Sequence, residues 1–309
     1  MERKAPRINR LFTYPSALSP MKSLLQTFVL LVLPAVAFAS EPAAVGMPTG
    51  SSSDGWQYTD IRRIPASEAR QGVASDGTFL YAIGTHVLGK YRADTGERVA
   101  GWEGPEHGAI VHLNAGIVYQ GRLYCAHSNY PGVPMVSSVE IWDTANMKHA
   151  GSHSFGRTDG SLTWLDRRNG RWIACFVHYG EKGGEPGRGP EWTHLVEFDD
   201  EWRQTGGWVL PTQLVAKLGA RGYSCSGGAV GPGGHLYVTG HDETELYVID
   251  FPAAGPEMKW VATVPISAEG QAFCFDPHQT DILYTVLKRT NEIIVGRVRH
   301  PGARRREQD

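Results

Sequence analysis

Between residues 71 and 299 the chain alternates short apolar, aromatic or β-branched runs with Gly-, Asn- and Asp-rich turns, and no long stretch has helical periodicity. Five segments share one plan. The first opens on Gln71-Gly72-Val73-Ala74, turns at Asp76-Gly77, and continues as Phe79-Leu80-Tyr81-Ala82-Ile83 toward Lys90-Tyr91-Arg92. The second opens on Asn114-Ala115-Gly116, turns at Gln120-Gly121, and gives Leu123-Tyr124-Cys125, then Val139-Glu140-Ile141-Trp142-Asp143. The third runs from Gly160-Ser161 through Asn169-Gly170 to Trp172-Ile173-Ala174, and closes with Leu195-Val196-Glu197-Phe198. The fourth runs from Ser226-Gly227-Gly228 through Gly233-Gly234 to Leu236-Tyr237-Val238, and closes with Leu246-Tyr247-Val248-Ile249-Asp250. The fifth contains Gly270-Gln271-Ala272-Phe273, Leu283-Tyr284-Thr285 and Ile293-Ile294-Val295.

With Leu80, Leu123, Trp172, Leu236 and Leu283 taken as equivalent, the steps are 43, 49, 64 and 47 residues. Four-stranded units at this period predict an all-β fold, a single β-propeller, because one blade cannot bury both its faces alone. Fourth strands are expected at Arg98 to Trp102, Lys148 to Phe155 and Trp260 to Val264, and Trp56 to Ile64 is expected to close the last blade. The small residues opening each unit suit innermost strands crowded round one axis, which favours five blades. Six is the alternative if the 64-residue step hides a degenerate blade. A solenoid or paired sandwiches would be other all-β solutions. Thr212 to Gly219 could form one short helical turn.

The ends of the chain follow other rules. Residues 21–39, with Lys22, an apolar Leu24 to Val36 and Ala37-Phe38-Ala39, read as a signal peptide, so a periplasmic or secreted location is expected. The apolar run is short and Pro-interrupted, so no stable membrane insertion is expected after cleavage. Residues 1–20 precede a better start at Met21. Residues 40–55 read as a flexible linker, 56–299 as the propeller, and 300–309 as a basic tail around Arg304-Arg305-Arg306. The full chain has a net charge of −2, and removing residues 1–39 leaves 25 basic against 31 acidic side chains. That balance argues against nucleic acid as a partner. A monomer is expected.

Cys125, Cys175, Cys225 and Cys274 fall nearly one per repeat. Cysteines one blade apart are expected to lie too far apart for the Cα separation of about 4.4–6.8 Å that a disulfide needs, so free buried thiols are favoured.

Val139-Glu140-Ile141-Trp142-Asp143 and Leu246-Tyr247-Val248-Ile249-Asp250 resemble blades of the broad lactonase-like and quinoprotein-like propeller superfamily. The first blade, from Gln71-Gly72-Val73 to Asp94-Thr95-Gly96, is also similar to the opening of plant-type glutaminyl cyclases, but later blades do not continue that pattern. His127-Ser128-Asn129-Tyr130-Pro131 resembles a loop of secreted bacterial propellers that are cycloisomerase-like by naming. These likenesses imply the fold and leave the activity open.

Candidate chemistry comes from polar residues at repeated strand ends: His86, His127, His178, His241 and Lys288 after second strands, and Gln71, His112, Asn114, Asp159, Ser226 and Gln271 before inner ones. The leading expectation is a small-molecule or carbohydrate ligand at one mouth of the axial channel, held by His112, Asn114, His127, Ser128, Asn129, Tyr130 and Gln271. The rival is a metal-assisted lactonase, lyase or cycloisomerase with His178 and His241 as catalytic residues. One divalent metal would then sit on His127, His178 and His241, since imidazole suits transition metals. Gly240-His241-Asp242-Glu243 with Glu245 is the densest polar cluster and doubles as a charged hairpin tip. The Gly- and Pro-rich run from Gly180 to Pro190 is a candidate lid.

Overall fold

The computed structural model describes residues 55–105, 107–157 and 159–301. The signal-peptide reading of residues 21–39 and the Arg304-Arg305-Arg306 tail lie outside the described residues. Twenty strands form five four-stranded antiparallel sheets. The first blade is β2 (Gly72–Ser75), β3 (Phe79–Ile83), β4 (Val87–Arg92) and β5 (Arg98–Glu103). The second is β6 (Leu113–Tyr119), β7 (Arg122–Ser128), β8 (Ser137–Asp143) and β9 (Lys148–Gly156). The third is β10 (Ser161–Arg168), β11 (Arg171–Val177), β12 (His194–Phe198) and β13 (Gln204–Val209). The fourth is β14 (Gly227–Val230), β15 (Leu236–Thr239), β16 (Glu245–Asp250) and β17 (Lys259–Pro265). The fifth is β18 (Cys274–Phe275), β19 (Ile282–Leu287) and β20 (Glu292–Arg299), completed on its outer edge by β1 (Gln57–Pro65). The chain therefore closes the ring with its first strand, as the sequence predicts. That pairing spans Gln57 with Arg299 to Pro65 with Glu292, with a bulge between Asp60 and Arg62.

The blades are stacked by five apolar clusters, one at each seam. Strand periodicity explains why. On β3, Leu80 and Ala82 face the fifth blade, while Tyr81 and Ile83 face the second. On β11, Ala174 and Phe176 face the second blade, while Ile173, Cys175 and Val177 face the fourth. A blade strand thus buries both faces, and its apolar run loses the simple in–out alternation of a one-sided sheet.

The 64-residue step holds no sixth blade. Its extra length is the loop after β11, a 3₁₀ turn at Pro190–Trp192, and the short helix α1 (Thr212–Leu218). Leu214 and Leu218 of α1 bury against the seam between the third and fourth blades.

The inner strands are as crowded as their small residues suggest. A Cβ added at Gly228 would lie 2.3 Å from Cε2 of Trp164 in the neighbouring blade, and one at Gly227 would lie 2.6 Å from the Gln271 carbonyl oxygen. Two turns repeat one device: Asp76 accepts the Thr78 and Phe79 amides and the Tyr81 hydroxyl, and Asp276 accepts the His278 and Gln279 amides and the Tyr284 hydroxyl.

All four cysteines are free. Cys225 lies in the segment just before β14, and it and Cys175 share the apolar cluster between the third and fourth blades. Burial and the neighbouring Cys225 thiol raise the Cys175 thiol well above the usual range. The Trp164 indole donates to Cys225 Sγ at 3.2 Å.

Among the described residues, no helix is long and apolar enough to cross a membrane.

Candidate functional site

The axial channel has two chemically different mouths. The upper mouth gathers the starts of inner strands and the ends of second strands; the lower gathers the opposite ends. Residues at the upper ends, such as Gly72, Asn114, Ser161, Gly227 and Gln271, are buried. Ile117, Asp166, Val230 and Cys274 at the lower ends are half-buried.

At the upper mouth, Tyr130 lies between His112 and Tyr179, with ring centroids 5.0 Å from each. His112 precedes β6, and Tyr130 is carried by the loop that follows β7. That loop is stapled by Asn129: Oδ1 accepts the Val136 amide at 2.8 Å and Nδ2 donates to the Pro134 carbonyl at 2.9 Å. The asparagine expected to touch ligand therefore spends its amide on its own loop. The candidate lid 180–190 meets this loop directly. The Met135 amide donates to Glu185 Oε1 at 2.8 Å, and the Tyr130 ring fills the space beside Gly183.

Ser128 Oγ and His178 Nδ1 are buried polar atoms without partners. They belong to neighbouring blades joined at one point, because Ser137, which pairs with Ser128, donates its hydroxyl to the Gly160 carbonyl, and Gly160 abuts the His178 ring. Burial lowers the His178 pKa, with the Arg188 and His194 charges adding to it, while Glu185 and the Asp159 backbone pull the other way. His112 falls to about 4, through burial first and then the charges of His127 and Lys288, against a hydrogen bond with Asn114. Both imidazoles are therefore neutral at pH 7. Tyr179, which the sequence did not single out, donates its hydroxyl to Ser161 Oγ at 3.2 Å.

Other expected site residues have separate duties. His127 Nε2 accepts the Val111 amide at 3.1 Å, which leaves Nδ1–H to donate to Ser138 Oγ at 2.8 Å. The Ser138 hydroxyl donates to Glu140 Oε1 at 2.7 Å, and Glu140 also accepts from Ser152 and His149. Both His127 nitrogens are thus committed to a relay within the second blade. Asn114 donates to the Leu162 carbonyl at 3.3 Å, tying the second blade to the third. The Gln271 carbonyl accepts the Thr239 hydroxyl at 2.8 Å at the seam of the fourth and fifth.

His241 stacks on Tyr223 with centroids 3.7 Å apart, and its Nδ1 meets Asp242 Oδ1 at 2.7 Å. Around it Arg221 reaches Asp242 and Glu243, and Lys217 pairs with Glu245 at 2.8 Å. The dense polar cluster is a hairpin tip clipped to the segment after α1. No three His, Cys, Asp or Glu side chains converge to hold a metal ion among the described residues. The expected grouping of His127, His178 and His241 on one ion is therefore not formed: they sit on three blades, two with near neighbours of their own.

The lower mouth opens into a cavity of about 340 Å³ touched by all five inner strands, including Ser75, Ile117, Asp166, Val230 and Cys274. Sequence reasoning passed over Asp166. Its signal was available, since a carboxylate interrupts the apolar run Leu162-Thr163-Trp164-Leu165 of an inner strand.

No family model matches the chain, and no curated protein matches it. Among solved structures it is similar to a luciferin-regenerating enzyme at 12% identity and a TM-score of 0.48, covering 80% of this chain and 96% of that one. A chain of a mitotic checkpoint complex gives 9% identity and a TM-score of 0.39, covering 88% and 99%. The RRP9 WD40 repeats give 9% identity and a TM-score of 0.41, covering 81% and 99%. Likeness at this level transfers no activity, substrate or partner, and the lactonase-like resemblance narrows to what the five sheets themselves establish: this chain is a β-propeller.

Proposed function

We propose that the protein is an exported, monomeric binder of a small hydroxylated ligand, sugar-like in chemistry, at the upper mouth of its channel. One observation carries the reading: Ser128 Oγ and His178 Nδ1, on neighbouring blades, are buried and unpartnered, and the loop that follows Ser128 brings Tyr130 against His112 and against Tyr179, the residue after His178. Buried polar atoms normally have partners, and leaving one unpaired costs about 1–3 kcal/mol. A ligand hydroxyl can donate to His178 Nδ1 and exchange a hydrogen bond with Ser128, while a sugar ring face packs on tyrosine. The neutral state of both imidazoles favours an uncharged partner over an anion.

The enzymatic alternative, a metal-assisted lactonase, lyase or cycloisomerase, is favoured by no arrangement at this mouth, since His178 and His241 have no contact with each other. A thermal-shift panel of neutral sugars, sugar acids and lactones tests the binding reading. A saturable rise in Tm with a neutral sugar, lost in Tyr130→Ala and His178→Ala, is expected. No response to any neutral sugar would overturn the reading, and turnover of a lactone would replace it. N-terminal sequencing of the exported chain reads the cleavage expected after Ala39.

A further inference from the structure

The lower mouth differs in kind from the site just described. Its walls are largely apolar, with Ile117, Leu165, Val230 and Phe275 around the cavity of about 340 Å³. A cavity of that size lies within the range that holds small organic ligands. Two carboxyl groups line it: Asp276 is spent on its own turn, accepting the His278 and Gln279 amides and the Tyr284 hydroxyl, whereas Asp166 is held from its own and the next blade, Oδ1 accepting the Arg167 amide at 2.7 Å and Oδ2 the Val230 amide at 2.6 Å. Each oxygen keeps lone-pair capacity after these bonds.

Among the described residues no cationic side chain reaches that carboxylate. The guanidinium of Arg167 turns away to Asp200 and the Gly170 carbonyl, and that of Arg168 lies over Phe251. The other titratable residues of the lining are Cys274 and Asp276, and both are acids. Burial pushes Asp166 up to about 6 even though the two backbone amides pull it down. The cavity thus joins an apolar body to an anchored carboxylate, Asp166, that has a second acid nearby and no paired cation among the described residues.

We propose that the lower mouth of the channel is a second binding site, for a small amphiphilic amine whose ammonium group pairs with Asp166 and whose short apolar part fills the space beside Ile117, Leu165 and Phe275. An organic anion would be repelled by the carboxylate. A sugar would leave its hydroxyls against apolar walls, and a metal ion would find no group of three His, Cys, Asp or Glu ligands among the described residues. An ammonium ion offers three donors to the free lone pairs, and the ring faces of the cavity tolerate a cation.

The test is calorimetric titration of the full chain at pH 7.5 with n-butylamine, beside 1-butanol and butyrate as probes of the same length. Saturable millimolar binding of the amine is expected, with neither the alcohol nor the carboxylate matching it. Asp166→Asn should weaken the amine at least tenfold, and Ile117→Phe, which fills the cavity without touching the carboxylate, should weaken it comparably. Near-UV circular dichroism confirms that each variant is folded. His178→Ala and Tyr130→Ala should leave amine binding unchanged, which separates this site from the upper one. Equal binding of 1-butanol, undiminished binding in a folded Asp166→Asn protein, or no saturable binding of the amine would each overturn the proposal.

Discussion

Asp166 Oδ2 accepts the Val230 amide at 2.6 Å across the seam between the third and fourth blades. An innermost strand has no partner on its channel side, so part of its backbone is left as an open sheet edge. Here a side chain from one blade satisfies the edge of the next. The cost is a carboxylate held in the channel wall, where its charge is poorly solvated.

That cost predicts a pH dependence. The folded pKa of about 6 lies above the usual aspartate value of 3.8, so the folded state holds more protons than the unfolded chain between those limits. Stability should therefore fall as pH rises from about 4 to 6 through this group. Asp166→Asn removes the titration, so its Tm relative to wild type should be several degrees more favourable at pH 7.5 than at pH 4. Paired melts at the two pH values read this, and an unchanged difference would sink the assignment.

His112 acts in the opposite sense. Its pKa falls from 6.5 to about 4, so the unfolded chain binds more protons between those values. Stability from keeping this imidazole neutral is full above 6.5 and is lost as pH falls toward 4. The shift corresponds to at most about 3 kcal/mol. His112→Gln should flatten the acid limb of the stability profile, measured by denaturant titration from pH 7 to 4. A limb as steep as that of wild type would refute the account.

Gly228 should tolerate no side chain. A Cβ there would lie 2.3 Å from Trp164 Cε2, and Trp164 is fully buried and donates to Cys225. Gly228→Ala should destabilise the protein by about 1–3 kcal/mol, the usual range for overpacking. Gly170→Ala is a useful control, because a Cβ there meets nothing and only the positive φ of 79° opposes it. If Gly228→Ala is the milder of the two in chemical denaturation, the crowding argument fails.

The thiols give a further check. Cys125, Cys175 and Cys225 are buried, and burial raises the pKa of Cys125, Cys175 and Cys274. A thiol reagent without added reductant should label almost nothing in the native protein and 4 thiols after unfolding. Recovery of fewer thiols from the unfolded protein would overturn the assignment of all the cysteines as free.

Local sequence carried the strands because each hairpin announces itself. Asn169-Gly170 and Asp76-Gly77 supply residues that accept a turn, and runs such as Phe79 to Ile83 have side chains for both blade faces. The repeat of these signals, with Trp56 to Ile64 left over to pair, was enough to determine a closed propeller and its last strand. It also explains why Leu80, Leu123, Trp172, Leu236 and Leu283 all lie on second strands. The count of five was open until the 64-residue step resolved into a loop and α1, which periodicity alone cannot separate from a weak blade.

The site was legible only as a set of positions. Sequence placed His112 and His178 at repeated strand ends and Ser128 and Tyr130 in the loop after His127, and tertiary structure decided what each one touches. His127, equivalent to His178 by strand position, has both nitrogens used because Ser138 and the Val111 amide lie beside it. His178 keeps Nδ1 unpartnered because its seam supplies no such neighbour. Asp166 depends on the amide of a residue 64 positions away. Contacts across blade seams are set by how whole sheets stack, and that is why strand patterns determined the architecture while only the folded chain decided the chemistry at its two mouths.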